Sequence, residues 1–397
     1  MHTLRRDWTS STLDGAVYSQ PLVVGNRLIV ATENDSVYSL DALTGRPIWK
    51  RTLGKPMPGA ALPCGNIDPS GITGTPVVDE QLGVLYAVAF VQPGRHQLAA
   101  IDLAKGSLIY QRTVDPPTAN PLIEQQRPAL ALSHSTVYIA FGGLFGDCGQ
   151  YHGWVVGAPE DGEGALLTYQ VPSKRQGGIW APSGPSVDAG GDVYVATGNS
   201  AGSILGVGET FDFGNAVIRL SGDLHLLDWW APSNWASLNS TDTDLGSVGP
   251  ALLSDGRLFQ IGKQGIGYLL HPGHLGGING PAFSSQVCTG AFGAIAHAAS
   301  YIYVACAEGL VAVRMNGFSF RVAWRSPSFS PGPPIVAGGM VWAIDTAGGV
   351  LYGLDPSGGQ VRQRVGVGAV EHFAAPSAGD GRVFVPADRS VLAFTGS

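Results

Sequence analysis

A strand-and-turn cycle that returns along the whole 397-residue chain is the feature that most constrains what it can fold into. The clearest cycle runs from Tyr18 to Trp49. Leu22-Val23-Val24 leads into a Gly25-Asn26-Arg27 turn, and Leu28-Ile29-Val30-Ala31-Thr32 leads into Glu33-Asn34-Asp35-Ser36. Val37-Tyr38-Ser39-Leu40-Asp41 then meets Ala42-Leu43-Thr44-Gly45-Arg46, and Pro47-Ile48-Trp49 closes the unit. Each apolar run is strand-length and each break is rich in residues that turn a chain. Similar cycles run from Thr75 to Tyr110, Pro128 to Tyr169, Pro185 to Trp230, Pro250 to Val287, Ala294 to Trp324, Pro334 to Arg364 and Pro376 to Phe394.

Four strands of this kind cannot bury their apolar faces alone, so repeats must stack on one another. The expected fold is all-β: an eight-bladed β-propeller of four-stranded antiparallel blades, forming a single domain over 1–397. The blades fall near 18–55, 72–116, 126–173, 182–236, 247–288, 292–328, 333–368 and 373–397, the last completed by 1–12. The final cycle lacks an outer strand, and Arg5, Asp7 and Trp8 resemble one without its blade, so the termini are expected to share blade eight and leave no open edge. With 57 glycines, 27 prolines and only 13% charged residues, the composition suits short strands and tight turns and argues against long surface helices.

A formal charge of -7 without Lys/Arg clusters excludes an electrostatic footprint for nucleic acid or an anionic membrane. No run of apolar residues is long enough to span a bilayer. The start, Met1-His2-Thr3-Leu4-Arg5-Arg6, lacks the apolar stretch of a signal peptide. The cysteines are 64, 148, 288 and 306, with no CxxC pair. Pairing of Cys64 with Cys148 and of Cys288 with Cys306 is expected because each pair would join neighbouring repeats; buried free thiols in a cytosolic protein are the alternative. With disulfides, the chain is expected to be secreted or at the cell envelope, its signal removed.

The segment Leu40-Asp41-Ala42-Leu43-Thr44-Gly45-Arg46-Pro47-Ile48-Trp49 resembles the tryptophan-docking motif of pyrroloquinoline-quinone (PQQ) dehydrogenase-type propellers, in which an Asp and a Thr-Gly turn brace a Trp packed between blades. It decays to Ile101-Asp102, Lys105-Gly106 and Tyr110, and to Leu354-Asp355 with Gly358-Gly359. Such propellers bind ligands at the channel mouth, on loops leading into the innermost strands. Gly177-Gly178-Ile179-Trp180 and Gly198-Asn199 are similar to the family's segment in which a tryptophan floors the cofactor and an asparagine ligates calcium. The resemblance makes Trp180 the floor and Asn199 the ligand; an interblade wedge and a turn residue are the alternatives.

Asn239 to Ser247 resembles the family's acidic loop, which makes Asp242 the general base and a calcium neighbour, with Asp244 the alternative. Thr241 stands where the family usually has a tryptophan. Phe259 to Leu270 resembles the strand carrying a cation beside the quinone, a role that falls to Lys263. The chain departs from the family in having no adjacent cysteine pair, in placing Cys148 where a glutamate ligand is expected, and in placing His152 where an arginine contacts the cofactor. Asp147 is the remaining metal-ligand candidate there.

His152, His297 and His372 fall at or near the lead-in to blades and are candidates for a shared metal or acid–base site; His271 and His274 fall at an outer turn. Gly198-Asn199-Ser200-Ala201-Gly202 matches the Gly-x-Ser-x-Gly pattern of hydrolases, but no helix-forming run follows it. The resemblance implies an exported PQQ- and calcium-dependent dehydrogenase acting on an alcohol, sugar or hydroxylated polymer. Without a CxxCH haem motif, its electrons would pass to a separate acceptor. Two alternatives stand beside it: a non-catalytic scaffold partnering another envelope protein, and unrelated lyase or hydrolase chemistry at the mouth using Asp147, His152 or His372.

Overall fold

Eight antiparallel four-stranded sheets arrange as a propeller in the computed structural model, which describes residues 4–200 and 210–396. Blade 1 consists of Leu22–Val24, Arg27–Thr32, Ser36–Asp41 and Pro47–Thr52, ordered from the channel outward. Blades 2 to 7 repeat this order, beginning with innermost strands at Val77–Asp79, Ala131–Ser133, Ser186–Val187, Ala251–Leu252, Ala291–Ala298 and Ile335–Ala337. Blade 8 takes Ser377–Gly379, Arg382–Ala387 and Ser390–Gly396 from the end of the chain and Leu4–Thr9 from its beginning, with Leu4 opposite Gly396 and Thr9 opposite Leu392. The expected sharing of the last blade is present. The described residues include one α-helix, Trp235–Ser240, on the connection from blade 4 to blade 5.

The core is a ring of layers between blades. Within blade 1, Leu28 and Val30 pack with Phe384 and Val391 of blade 8, while the alternate residues Ile29 and Ala31 pack with Leu85 and Ala87 of blade 2. The same division recurs at each blade-to-blade junction around the ring. A strand with both faces buried has no polar face, so the second strand of each unit is a continuous apolar run. At the outer edges, aromatic side chains from one blade dock on the turn of the next. Trp49 donates its indole N–H to the Leu103 carbonyl at 3.0 Å, Trp8 to Ala42 at 3.2 Å and Trp324 to Pro356 at 2.9 Å. Tyr110 does the same through its hydroxyl to Glu160, at 3.1 Å. Gly106 shows why the receiving turn is glycine: its φ is +68°, and a Cβ there would lie 2.5 Å from the Trp49 ring.

Two disulfides form, Cys64–Cys148 and Cys288–Cys306. The second joins neighbouring blades, as expected. The first reaches past blade 2, from the long connection between Thr52 and Val77 to the loop between the second and third strands of blade 3. That connection runs over the channel mouth, where Asn66 lines a cavity together with Gly146 and Asp147. No helix among the described residues is long and apolar enough to cross a membrane.

Candidate functional site

A cavity of about 480 Å³ opens at this mouth. Blades 4 and 5 form its most polar wall. Trp180 precedes the innermost strand of blade 4, and Asn199 follows that blade's second strand, Val193–Ala196. Asp242 and Asp244 lie on the connection into blade 5, and Lys263 sits between Leu258–Gln260 and Ile266–Leu270. All five line the cavity. Gly198 lets them close up, since a Cβ at that position would lie 2.9 Å from Asp244 Oδ1 and 3.0 Å from Trp180 Nε1.

Backbone hydrogen bonds fix this wall. The Asn199 N–H donates to Asp244 Oδ1 at 2.6 Å, the Lys263 N–H to the Asp244 carbonyl at 2.8 Å, and the Gly177 N–H to the Asn199 carbonyl at 2.8 Å. Beneath them, Asn215 accepts the Leu245 N–H at 2.7 Å and donates its amide to Asn239 Oδ1 at 2.7 Å. Satisfied side-chain amides of this kind hold loops that lack a regular ladder.

Lys263 Nζ lies 2.7 Å from Asp244 Oδ2 and 3.1 Å from Asp242 Oδ1, and 5.8 Å from the centre of the Trp180 ring. The two carboxylates differ in setting: the Asp244 side chain is 5% exposed and that of Asp242 is 69% exposed, on the rim with φ +52°. Burial raises the Asp244 carboxyl above the usual range, against the pull of Lys263 and the Asn199 N–H. Burial opposes the Lys263 charge, but Asp244 and Asp242 outweigh it and hold the ammonium above the ordinary lysine value.

The other expected residues separate. Asp147 also lines the cavity and accepts the Tyr151 hydroxyl. His152 does not line it: its N–H donates to Glu124 Oε1 at 3.3 Å, its Nδ1 lies 3.4 Å from Ser173 Oγ, and burial depresses its pKa. His372 lines the cavity and is pushed down to about 4 by burial, with the Arg127 charge adding to the effect. His297 is exposed on the innermost strand of blade 6, and His271 stacks on Phe318 at an outer turn. The histidines therefore do not converge. Among the described residues no group of three or more His, Cys, Asp or Glu could hold a metal ion. Ser200 is buried, donates to Asp212 Oδ1 at 2.6 Å and accepts from the Asn239 amide; Ala201 and Gly202 of its pattern lie outside the described residues.

Sequence reasoning missed Arg127 and Phe373, which line the cavity opposite Trp180. The guanidinium sits 5.7 Å from the Phe373 ring, itself 6.4 Å from the Trp180 ring. Both also line a smaller cavity, about 90 Å³, further down the channel. Position was the available signal for Arg127, which shortly precedes the innermost strand of blade 3. Glu124 was missed as well; burial pushes its carboxyl up to about 8 behind His152.

A family model described as outer membrane protein assembly factor BamB matches residues 5–215. No curated protein sequence matches the chain. Among solved structures, BamB from Moraxella catarrhalis is similar with 14% identity and a TM-score of 0.65, over 99% of this chain and 98% of that one. The quinohemoprotein alcohol dehydrogenase ADHIIG from Pseudomonas putida HK5 gives 15% identity and a TM-score of 0.74, over 99% of this chain and 76% of that one. The corresponding enzyme from Comamonas testosteroni gives 15% and 0.71 with the same coverage. At such identities the likeness is one of fold.

Proposed function

The chain belongs to the PQQ-like propeller family whose model carries the BamB description, and from that premise we propose that it is an exported oxidoreductase-type propeller. Its mouth would bind a flat quinone cofactor and oxidise an alcohol, sugar or hydroxylated polymer. The observation that carries this reading is the meeting of Trp180, Asn199, Asp244 and Lys263, from two neighbouring blades, on one cavity. Trp180 lines that cavity, which supports its reading as a floor for a flat ring. PQQ, when bound, supplies an ortho-quinone that accepts two electrons from a substrate carbon. Trp180 offers a planar apolar face, Lys263 and Arg127 offer positive charge to an anionic ring, and Asp244 is the buried carboxylate able to take a hydroxyl proton. Asp242 is the rim alternative for that proton. The two disulfides support export, and the acceptor of the electrons would be a separate molecule.

Calcium fits this mouth poorly. It takes about six to eight oxygens, yet Asp244 is tied to Lys263 and the Asn199 N–H, Asp242 to Lys263, and Asp147 to Tyr151. Cys148, at the position of the family glutamate, is locked in a disulfide. Of the expected set, only the Asn199 amide is without a side-chain partner among the described residues, so the proposed chemistry uses no calcium.

Titrating PQQ into the protein while following tryptophan fluorescence, then measuring dye reduction with a panel of alcohols, sugars and polyols, tests the reading. Saturable quenching and substrate-dependent reduction are expected. Absence of quenching sinks it in favour of a binding scaffold at the envelope. That second reading is favoured by the match to BamB over nearly the full length of both chains, against 76% of the dehydrogenases.

A further inference from the structure

The mouth carries a cation of its own. Three oxygens converge on Lys263 Nζ: Asp244 Oδ2 at 2.7 Å, Asp242 Oδ1 at 3.1 Å and the Asp242 carbonyl at 3.1 Å. This is a cation shell made of two carboxylates and a carbonyl, the donor types a hard metal takes, opened only slightly beyond the roughly 2.3–2.6 Å of calcium–oxygen contacts. Its occupant is covalently attached. The Lys263 side chain is 20% exposed, and the loop beneath it is fixed through the bond from its own N–H to the Asp244 carbonyl. A divalent ion entering the same shell would meet the ammonium at close range, where repulsion between like charges in a partly buried site is strong. Asp147, which lines the same cavity, is engaged by the Tyr151 hydroxyl, and among the described residues no group of three or more His, Cys, Asp or Glu could hold the ion instead.

We infer that the Lys263 ammonium is a built-in replacement for a divalent cation at this mouth, so that a planar, carboxylate-bearing conjugated ring binds here without metal. Removing the ammonium should convert its shell into a metal site. The ligand class rests on the quinone reading above; the identity of the resident cation does not. Trp180 lies 5.8 Å beneath the nitrogen and provides both the stacking face and an optical reporter.

Two measurements separate these parts. In the first, PQQ affinity is read by fluorescence quenching in chelator and in calcium. The wild type should bind equally in both, Lys263→Arg should keep that metal independence, and Lys263→Ala should bind about tenfold more weakly in chelator and recover in calcium. In the second, terbium is added without PQQ and its tryptophan-sensitised luminescence is followed. Wild type should sensitise little, Lys263→Ala strongly, and Lys263→Ala combined with Asp244→Asn little again. Calcium tightening PQQ binding to the wild type by about tenfold or more would overturn the inference. So would equal terbium luminescence from wild type and Lys263→Ala, with melting curves confirming that both are folded. If PQQ binds in neither buffer, the quinone reading fails and the terbium comparison alone decides the role of the ammonium.

Discussion

One residue, Thr243, separates Asp242 from Asp244, yet the two carboxylates differ sharply in burial. Asp242, at φ +52°, is turned to the rim, and Asp244 falls under the cavity wall, where the Asn199 N–H and Lys263 hold it. Burial acts on two neighbouring carboxylates in blade 1 as it does on Asp244. Glu33 is 1% exposed and pushed up to about 7 by burial, although Gly71 N–H donates to it at 2.6 Å; Asp35 beside it is pushed up to about 8. An acid whose folded pKa lies above its unfolded one stabilises the fold while protonated, and that stability is shed as pH rises from the unfolded to the folded value. For Glu33 the window runs from 4.5 to about 7. The wild type is therefore expected to unfold at higher temperature at pH 5 than at pH 8, with Glu33→Gln removing on the order of 3 kcal/mol of that difference. Melts of both proteins at both pH values check it, and an unchanged difference in the variant would refute the assignment. The sequence could not reveal this pair, because Glu33-Asn34-Asp35 has the composition of an exposed turn. Burial comes from the connection folded over it, with Gly71 pressed against the Glu33 carbonyl.

At the scale of elements, the strands were legible because each is bracketed by turn chemistry, and the docking aromatics because Asp41 and Thr44 sit at fixed offsets before Trp49. Asp41 Oδ1 accepts both the Thr44 N–H and the Thr44 hydroxyl at 2.8 Å. The mouth was half legible. Trp180, Asn199 and Lys263 lie near strand ends that the repeat locates, whereas Arg127 and Phe373 meet on the cavity from blades that are not neighbours in the ring, which spacing along a chain does not encode. The Cys64–Cys148 link belongs to the same category, since it skips a blade. It closes a loop of 84 residues, so replacing both cysteines by serine is expected to lower stability by about 2–4 kcal/mol. Denaturant midpoints measure that loss. Hydrogen exchange should speed up first around Asn66 and Asp147, on the cavity wall the link braces; a uniform change across all blades would argue against a local brace.

For the whole molecule, eight interblade layers stabilise a ring only if the ring is closed, and the closing contact is a strand, not a loop. Deleting residues 4–9 would leave the edge of Ser390–Gly396 unpaired and remove Trp8 from its seat on blade 1. The shortened chain is expected to melt lower and to associate through the bared edge, as light scattering after size-exclusion chromatography would register; a monomer with unchanged melting would contradict the closure. That pairing also has a consequence for how the protein is made. Leu4 finds its partner at Gly396, so this strand must wait for one almost the whole length of the propeller away along the chain before it has anything to hold. Contacts this distant along a chain form late and slowly. A circular permutant opened between two blades and joined through its old termini would turn the slowest pairing in the molecule into a local hairpin.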